Sequence, residues 1–214
     1  MEGALRGAAP ADLRLIETFR WEPAAGFARL PAHLARLGRG AAALGIPLDA
    51  GEIERALASV SGGVAGGEAL RVRLTVGLDG GVAVTAAPLG AAKAAWVVAV
   101  AAERVFSGDP WLALKSTRRP VHDAARAGLA PGVDEALLLN ERGEVAEGTI
   151  TTVFVARGGG LVTPPVASGV LPGVLRAELL AAGRCREGVV RAADLGAGFW
   201  VGNALRGLIP ARLA

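Results

Sequence analysis

Asp134-Glu-Ala-Leu-Leu-Leu-Asn-Glu-Arg-Gly-Glu-Val-Ala-Glu-Gly-Thr149 decides the fold. Glu135–Asn140, with Ala-Leu-Leu-Leu at its centre, predicts a strand, and Glu141–Gly143 supplies the polar and glycine residues of a turn. The β-branched run Thr149–Arg157 predicts a long strand, and a Gly-rich turn leads to another at Leu161–Thr163. Outward from this sheet, Val121–Ala127 predicts a helix on one side. On the other, Pro172 and Gly173 open a helix through about Ala182, and Phe199–Val201 forms a last short strand running into Gly202 and Asn203.

The chain before this half has its own pattern. Asp12–Trp21 and Gly26–Leu30 predict a hairpin across the Glu22–Ala25 turn. Pro31 opens a helix in which Leu34, Leu37 and Ala41 recur at helical spacing, with Leu44 and Gly45 closing it. A second helix fits Ala50–Val60. After a Gly-rich turn come three strands at Ala69–Val76, Gly81–Ala87 and Trp96–Ala101. The pattern lapses at Glu103–Pro110, which reads as a linker. The expected fold is therefore α+β in two domains: a small α+β domain over residues 1–102, a linker at 103–110, and a larger sheet-centred domain over 111–214.

Composition narrows the chemistry. The 214 residues are 52% hydrophobic, enough for a buried core. No basic-then-apolar leader is visible and no apolar run reaches the roughly 20 residues of a membrane span, so a cytoplasmic protein without membrane contact is expected. Cys185 is the one cysteine, and His33 and His122 are far apart, which leaves no metal cluster or disulfide framework to expect. The basic residues are scattered and the net charge is only +3, so no nucleic-acid partner is expected. Lys93 and Lys115 are the two lysines of a chain that otherwise uses Arg. Arginine cannot replace lysine where a primary amine must lose its proton to form an imine.

Around Lys115 the sequence offers anion-binding candidates. Pro172-Gly173-Val174-Leu175-Arg176 places small residues at a helix start, where free N–H groups and the helix dipole favour a phosphate. Gly202-Asn203-Ala204 follows a strand, where a small residue allows close backbone approach and Asn203 can donate. Arg36 lies on the first helix among apolar neighbours, suited either to a phosphate dianion or to solvent. His33, three residues before it, suits packing or capping. Glu147 stands between a turn and an apolar strand, where a carboxylate drawn from water wants a cationic partner such as a protonated pyridine, the other reading being a surface hairpin position.

Together, His33-Leu-Ala-Arg-Leu37, Lys115-Ser-Thr117, the run from Asp134 to Thr149, Thr163-Pro-Pro165 with Gly169-Val-Leu-Pro-Gly-Val-Leu-Arg176, and Gly202-Asn-Ala-Leu-Arg-Gly-Leu208 resemble the class IV aminotransferases, the fold type IV pyridoxal enzymes. The resemblance implies a pyridoxal 5′-phosphate cofactor in a cleft between the two domains. It implies Lys115 as the Schiff-base lysine, Glu147 at the pyridine nitrogen and Arg36 on the phosphate, with Val174, Leu175, Gly202, Asn203 and Ala204 completing a phosphate cup. It also implies a homodimer and a small-molecule amino substrate. Leu15–Pro23 and Asn203–Leu208 resemble the 4-amino-4-deoxychorismate lyase branch, whose product is 4-aminobenzoate, made for folate, and whose functional companion is aminodeoxychorismate synthase. The chain contains no tyrosine, and Pro120 stands where aminotransferase branches commonly carry one beyond the lysine. Arg118 and Thr152 depart from the lyase pattern. Arg20 and Arg206 are candidates for substrate carboxylates.

Overall fold

A computed structural model describes the backbone of residues 2–62 and 68–214. The Gly-rich turn expected after the second helix lies at residues 63–67, outside the described residues. The chain divides into two compact units: residues 1–91 with Leu114–Arg118, and Ala92–Ala113 with Arg119–Ala214.

The first unit is a four-stranded antiparallel sheet in the order β2-β1-β3-β4, built from β1 (Arg14–Glu22), β2 (Gly26–Phe27), β3 (Leu70–Gly77) and β4 (Val82–Pro88). Three helices accompany it: α1 (Glu2–Gly7), α2 (Leu30–Leu44) and α3 (Ala50–Gly62). Leu15, Glu17, Phe19 and Trp21 alternate along β1 and are all buried, so one face of this strand is committed to the core. On α2 the buried residues are His33, Arg36, Leu37, Gly40, Ala41 and Leu44, the 3–1–3–1–3 spacing of a single stripe. At Gly40 a Cβ would lie 3.2 Å from the Leu15 side chain, which marks where α2 comes close to the strand.

The second unit is an eight-stranded mixed sheet. Its strands are β5 (Trp96–Val105), β6 (Glu135–Asn140), β7 (Val145–Gly148), β8 (Thr152–Arg157), β9 (Gly160–Thr163), β10 (Cys185–Glu187), β11 (Phe199–Asn203) and β12 (Gly207–Leu213). The order is β10-β9-β8-β11-β12-β5-β6-β7. Strands β7 and β8 are consecutive in sequence, yet five interstrand steps separate them, about 24 Å in a flat sheet. The three residues Thr149–Thr151 that join them span at most about 14 Å. The sheet must therefore roll up, and Gly148 N–H donates to the Thr151 carbonyl at 2.8 Å where its ends approach. Val98, Leu137, Val145, Val153, Val201 and Ile209 fill the interior of the roll. Outside it, α4 (Pro120–Ala127) covers Ala136, Leu138 and Ala146, while α5 (Val174–Ala181) covers Phe154 and Leu208. Both faces of β6 are thus covered, the reason its centre, Ala136–Leu139, is continuously apolar.

Several boundaries differ from the sequence expectation. The stretch expected as a linker begins inside β5, because Arg104 and Val105 still pair with Leu139 and Asn140 of β6 beyond a register shift. Lys115 does not belong with the larger unit: Leu114–Arg118 returns to the first, pairing beside β1. Strand β12 was not expected, and it carries Pro210 in its interior. It is accommodated because pairing to β5 begins only at Ala211, so the proline lacks a donor where that neighbour is absent. The expected Thr149–Arg157 strand starts at Thr152, and Val145–Gly148 is a strand of its own.

The approach of β7 to β8 depends on Gly148. Its φ is unexceptional, but an added Cβ would clash with Thr151 Oγ1 and lie 2.9 Å from Glu135 Oε2. Gly148→Ala is expected to lower unfolding stability by about 3 kcal/mol in urea titration. Gly132→Ala, at φ 84° with open space around it, should cost only about 1 kcal/mol.

Candidate cofactor site

The candidate site residues divide between the two units. In the first, the Lys115 segment runs antiparallel to β1: Ile16 N–H donates to the Lys115 carbonyl at 2.8 Å and Thr117 N–H to the Arg14 carbonyl at 2.9 Å. Thr117 Oγ1 also accepts from Arg14 N–H at 2.9 Å. These bonds fix the backbone of the lysine against a sheet, a firmer support than a free loop. Ser116 is bridged to Leu15, and strand alternation then puts Lys115 on the other face of the ladder, the face of Ile16. Lys115 is half-buried. The chain's other lysine, Lys93, is ion-paired with Asp134.

Arg36 is 8% exposed and faces the still more buried Glu17 of β1, 1% exposed. Its Nε donates to Glu17 Oε1 at 2.8 Å and its Nη2 to Oε2 at 2.5 Å. His33 Nδ1 lies 2.6 Å from the same Oε2. A carboxylate only accepts, so Nδ1 carries the proton. Burial pushes the Glu17 carboxyl up, but the hydrogen bonds and charges of Arg36 and His33 outweigh it and hold the group below the usual carboxylate range. Arg36 is thus neither solvated nor free to wander. Arg20 is paired with Glu22 at 2.5 Å where both are half-buried, so its guanidinium is already committed to a carboxylate.

In the second unit, Glu147 is the buried end of a hydrogen-bonded line. Its Oε1 lies 2.8 Å from His122 Nε2 on α4, and its Oε2 accepts Leu171 N–H at 3.1 Å. Two of its lone-pair sites are therefore fixed by protein, which excludes the surface-hairpin reading. Leu171 is itself held in a braced loop. Glu144 Oε2 accepts from Asn140 Nδ2 at 2.9 Å, Ser168 Oγ at 2.8 Å and Arg142 Nη2 at 2.8 Å.

The two expected phosphate-binding segments meet within this unit. Gly173, the N-cap of α5, offers no side-chain cap to the first N–H groups of the helix, so Val174 and Leu175 begin it with donors pointing outward. A Cβ on Gly202 would lie 2.9 Å from Leu175 Cδ2 and 2.8 Å from the Gly207 carbonyl. Thr152, paired with Gly202 across the sheet, lies 3.2 Å from a Cβ placed on Gly173. An uncapped helix start against a glycine strand end fits a phosphate.

One side chain differs from expectation. Asn203 does not present its amide to a ligand, since Nδ2 donates to the Ile150 carbonyl at 3.2 Å and Oδ1 accepts Arg206 N–H at 3.0 Å, closing the β11–β12 turn. Arg176 is turned away from the helix start, donating to the Pro164 carbonyl at 3.0 Å and pairing with Glu187. His122 and Glu17 were not singled out from sequence. Glu17 had a signal, its odd-numbered parity with Leu15, Phe19 and Trp21. His122 had none, since 25 residues separate it from Glu147.

Residues 14–214 match the model of the amino-transferase class IV family. The chain belongs to that family. Its cofactor is pyridoxal 5′-phosphate, and it is an enzyme of this cofactor class. A provisionally named amino-acid aminotransferase from Mesorhizobium loti is 42% identical, with a TM-score of 0.90 over 95% of this chain and all of that one. The 4-amino-4-deoxychorismate lyase of Pseudomonas aeruginosa is 26% identical, TM-score 0.79, over 97% and 85%. A hypothetical aminotransferase from Mycobacterium tuberculosis, solved with pyridoxal phosphate bound, is 25% identical, TM-score 0.81, over 97% and 83%. A provisionally named branched-chain aminotransferase of Methanocaldococcus jannaschii is 49% identical over 45 residues, 21% of this chain and 16% of that relative. No helix among the described residues is long and apolar enough to cross a membrane, and no group of metal-ligating side chains occurs among them.

Two outcomes are expected. Gly202→Ala should weaken cofactor binding about tenfold in a fluorescence titration, because the carbonyl it meets belongs to backbone that cannot swing aside. The network around Glu144 holds its carboxyl down from 4.5 to about 2. A depressed folded-state value gives stability that is full above about pH 4.5 and is lost as pH falls through about 2. The stability difference between wild type and Glu144→Gln, about 1 kcal/mol at neutral pH, should therefore shrink across that window in acid denaturation.

Proposed function

We propose that the chain is a 4-amino-4-deoxychorismate lyase, releasing pyruvate and 4-aminobenzoate. The observation that carries the reading is the clamped Glu147 carboxylate, in the same unit as the uncapped α5 start backed by Gly202. Those are the needs of a protonated pyridine and of a phosphate. The choice of lyase is supported by the stretches Leu15–Pro23 and Asn203–Leu208, by the absence of tyrosine, and by the similarity to the Pseudomonas enzyme. The same reading carries a homodimer, a functional association with aminodeoxychorismate synthase and a cytoplasmic location.

When bound, pyridoxal phosphate supplies an aldehyde for the substrate amine and a ring that stabilises negative charge on the adjacent carbon. Lys115 is the residue that attaches it. Lys115 Nζ, when not attached to the cofactor, would be the base that takes the proton from the substrate carbon bearing the amine. Loss of the enolpyruvyl group as pyruvate then leaves an aromatic ring, which supplies much of the driving force. Glu147, kept in place by His122 and Leu171 N–H, holds the proton on the ring nitrogen. Arg36 and the backbone donors of Val174, Leu175, Gly202, Asn203 and Ala204 take the phosphate. Arg206 remains a candidate for a substrate carboxylate, and Arg20 a weaker one because Glu22 competes for it.

A second reading, an aminotransferase acting on D- or branched-chain amino acids, is favoured by the 42% identity to the Mesorhizobium protein. Incubating the purified protein and cofactor with aminodeoxychorismate is expected to yield pyruvate and 4-aminobenzoate in equal amounts. Amino transfer to a keto acid without that cleavage would replace the lyase reading with the second. Borohydride reduction should fix the cofactor on Lys115 in a peptide map, and Lys115→Ala should lower turnover by about a thousandfold.

A further inference from the structure

Arg36 meets Glu17 sideways. Nε and Nη2 both bond the carboxylate, one to each oxygen, which leaves Nη1 as the nitrogen not committed to Glu17. A guanidinium is a rigid planar fork, so fixing one edge fixes the direction of the rest. Glu17 is in turn gripped through Oε2 by His33 Nδ1, and the His33 ring packs edge-on against Phe19 at 4.8 Å. His33 Nε2 is buried and has no hydrogen-bond partner. An unpaired buried nitrogen is a cost, so the ring is retained for its other edge. Glu17 and His33 are each 1% exposed, and the fully buried carboxylate has a charged partner and a polar one aligned on it. A plain core at these positions would be apolar, as its neighbours Leu15, Phe19 and Leu37 are.

We propose that Glu17 is a positioning residue for anion binding by Arg36, and that His33 orients Glu17 through Nδ1 alone. The inference rests on the reading of Arg36 as a ligand of the cofactor phosphate. The ion pair keeps the guanidinium charged and side-on to Glu17, so the free edge is aimed before the ligand arrives and little ordering remains to be done on binding. Lysine at position 36 could not be held this way, because an ammonium has no fork to align.

Histidine offers a test that packing alone would not meet. Asparagine places an amide N–H near the position of Nδ1, whereas glutamine reaches towards the position of Nε2. The measurements are the dissociation constant of pyridoxal phosphate from protein fluorescence, the phosphorus NMR shift of the bound phosphate, and urea unfolding without cofactor, on Glu17→Gln, His33→Asn, His33→Gln, His33→Leu and Arg36→Ala. Arg36→Ala is expected to weaken cofactor binding about a hundredfold and Glu17→Gln about tenfold with a shifted phosphorus resonance. His33→Asn should stay within about threefold of wild type, while His33→Gln and His33→Leu fall with Glu17→Gln. If Glu17→Gln does not fold, the order of the three His33 variants decides. Unchanged affinity in Arg36→Ala overturns the reading of Arg36 itself. A loss in Arg36→Ala with none in Glu17→Gln, or a His33→Leu that binds better than His33→Asn, overturns the positioning role.

Discussion

Glu135 holds the connection on which the larger unit depends. Its carboxylate is fully buried at the start of β6 and accepts from Thr149 N–H at 3.0 Å, Ile150 N–H at 3.1 Å, Thr151 Oγ1 at 2.8 Å and the Thr149 hydroxyl. Those three residues are the whole link between β7 and β8, strands that the sheet order places far apart. A buried carboxylate left unpaired would be strongly unfavourable, and a short loop left with free N–H groups nearly as much so. Each satisfies the other, and the rolled sheet follows from the shortness of the link they stabilise. Arg126 adds a further bond to Thr149 Oγ1 at 3.0 Å, and Arg119 donates to the Thr149 carbonyl at 2.6 Å.

The same loop reaches the candidate site in two directions. Glu147 lies two residues before it, and the Ile150 carbonyl accepts from Asn203 Nδ2, which closes the turn after Gly202. The braced loop around Glu144 and Ser168 delivers Leu171 N–H to Glu147 and leads into the uncapped start of α5. Buried carboxylates thus recur as organisers: Glu135 for the link, Glu144 for the loop, Glu17 for Arg36. Each is surrounded by donors, the condition under which a buried charge is tolerated. The residues proposed to meet the cofactor are in consequence held by a second layer of bonds, as catalytic precision requires.

Much of this was legible beforehand. Every helix of more than six residues and most strands follow from periodicity, because amphipathic stripes such as His33–Leu44 and buried runs such as Glu135–Asn140 record which faces are covered. Lys115, Glu147 and the two glycine-bearing anion segments stood out because imine formation, charge burial and close backbone approach each require particular residue types. What was missed was long-range. Strands β7, β10 and β12 and the return of Leu114–Arg118 to the first unit carry no local mark, since each is fixed by a partner distant in sequence. Asn203 looked like a donor to a ligand and proved to be a turn bolt, because a side-chain amide serves either purpose with the same atoms.

The sequence by itself determined most element types and the cofactor class through its family motifs, since these depend on side-chain chemistry and short-range spacing. Only the tertiary structure decided which carboxylate steadies which partner: Glu17 with Arg36 and His33, His122 with Glu147, Glu135 with the β7–β8 link. Hydrogen bonds across 16 to 25 residues are set by how sheets roll and helices dock, and pairings made at that range leave no period in the chain.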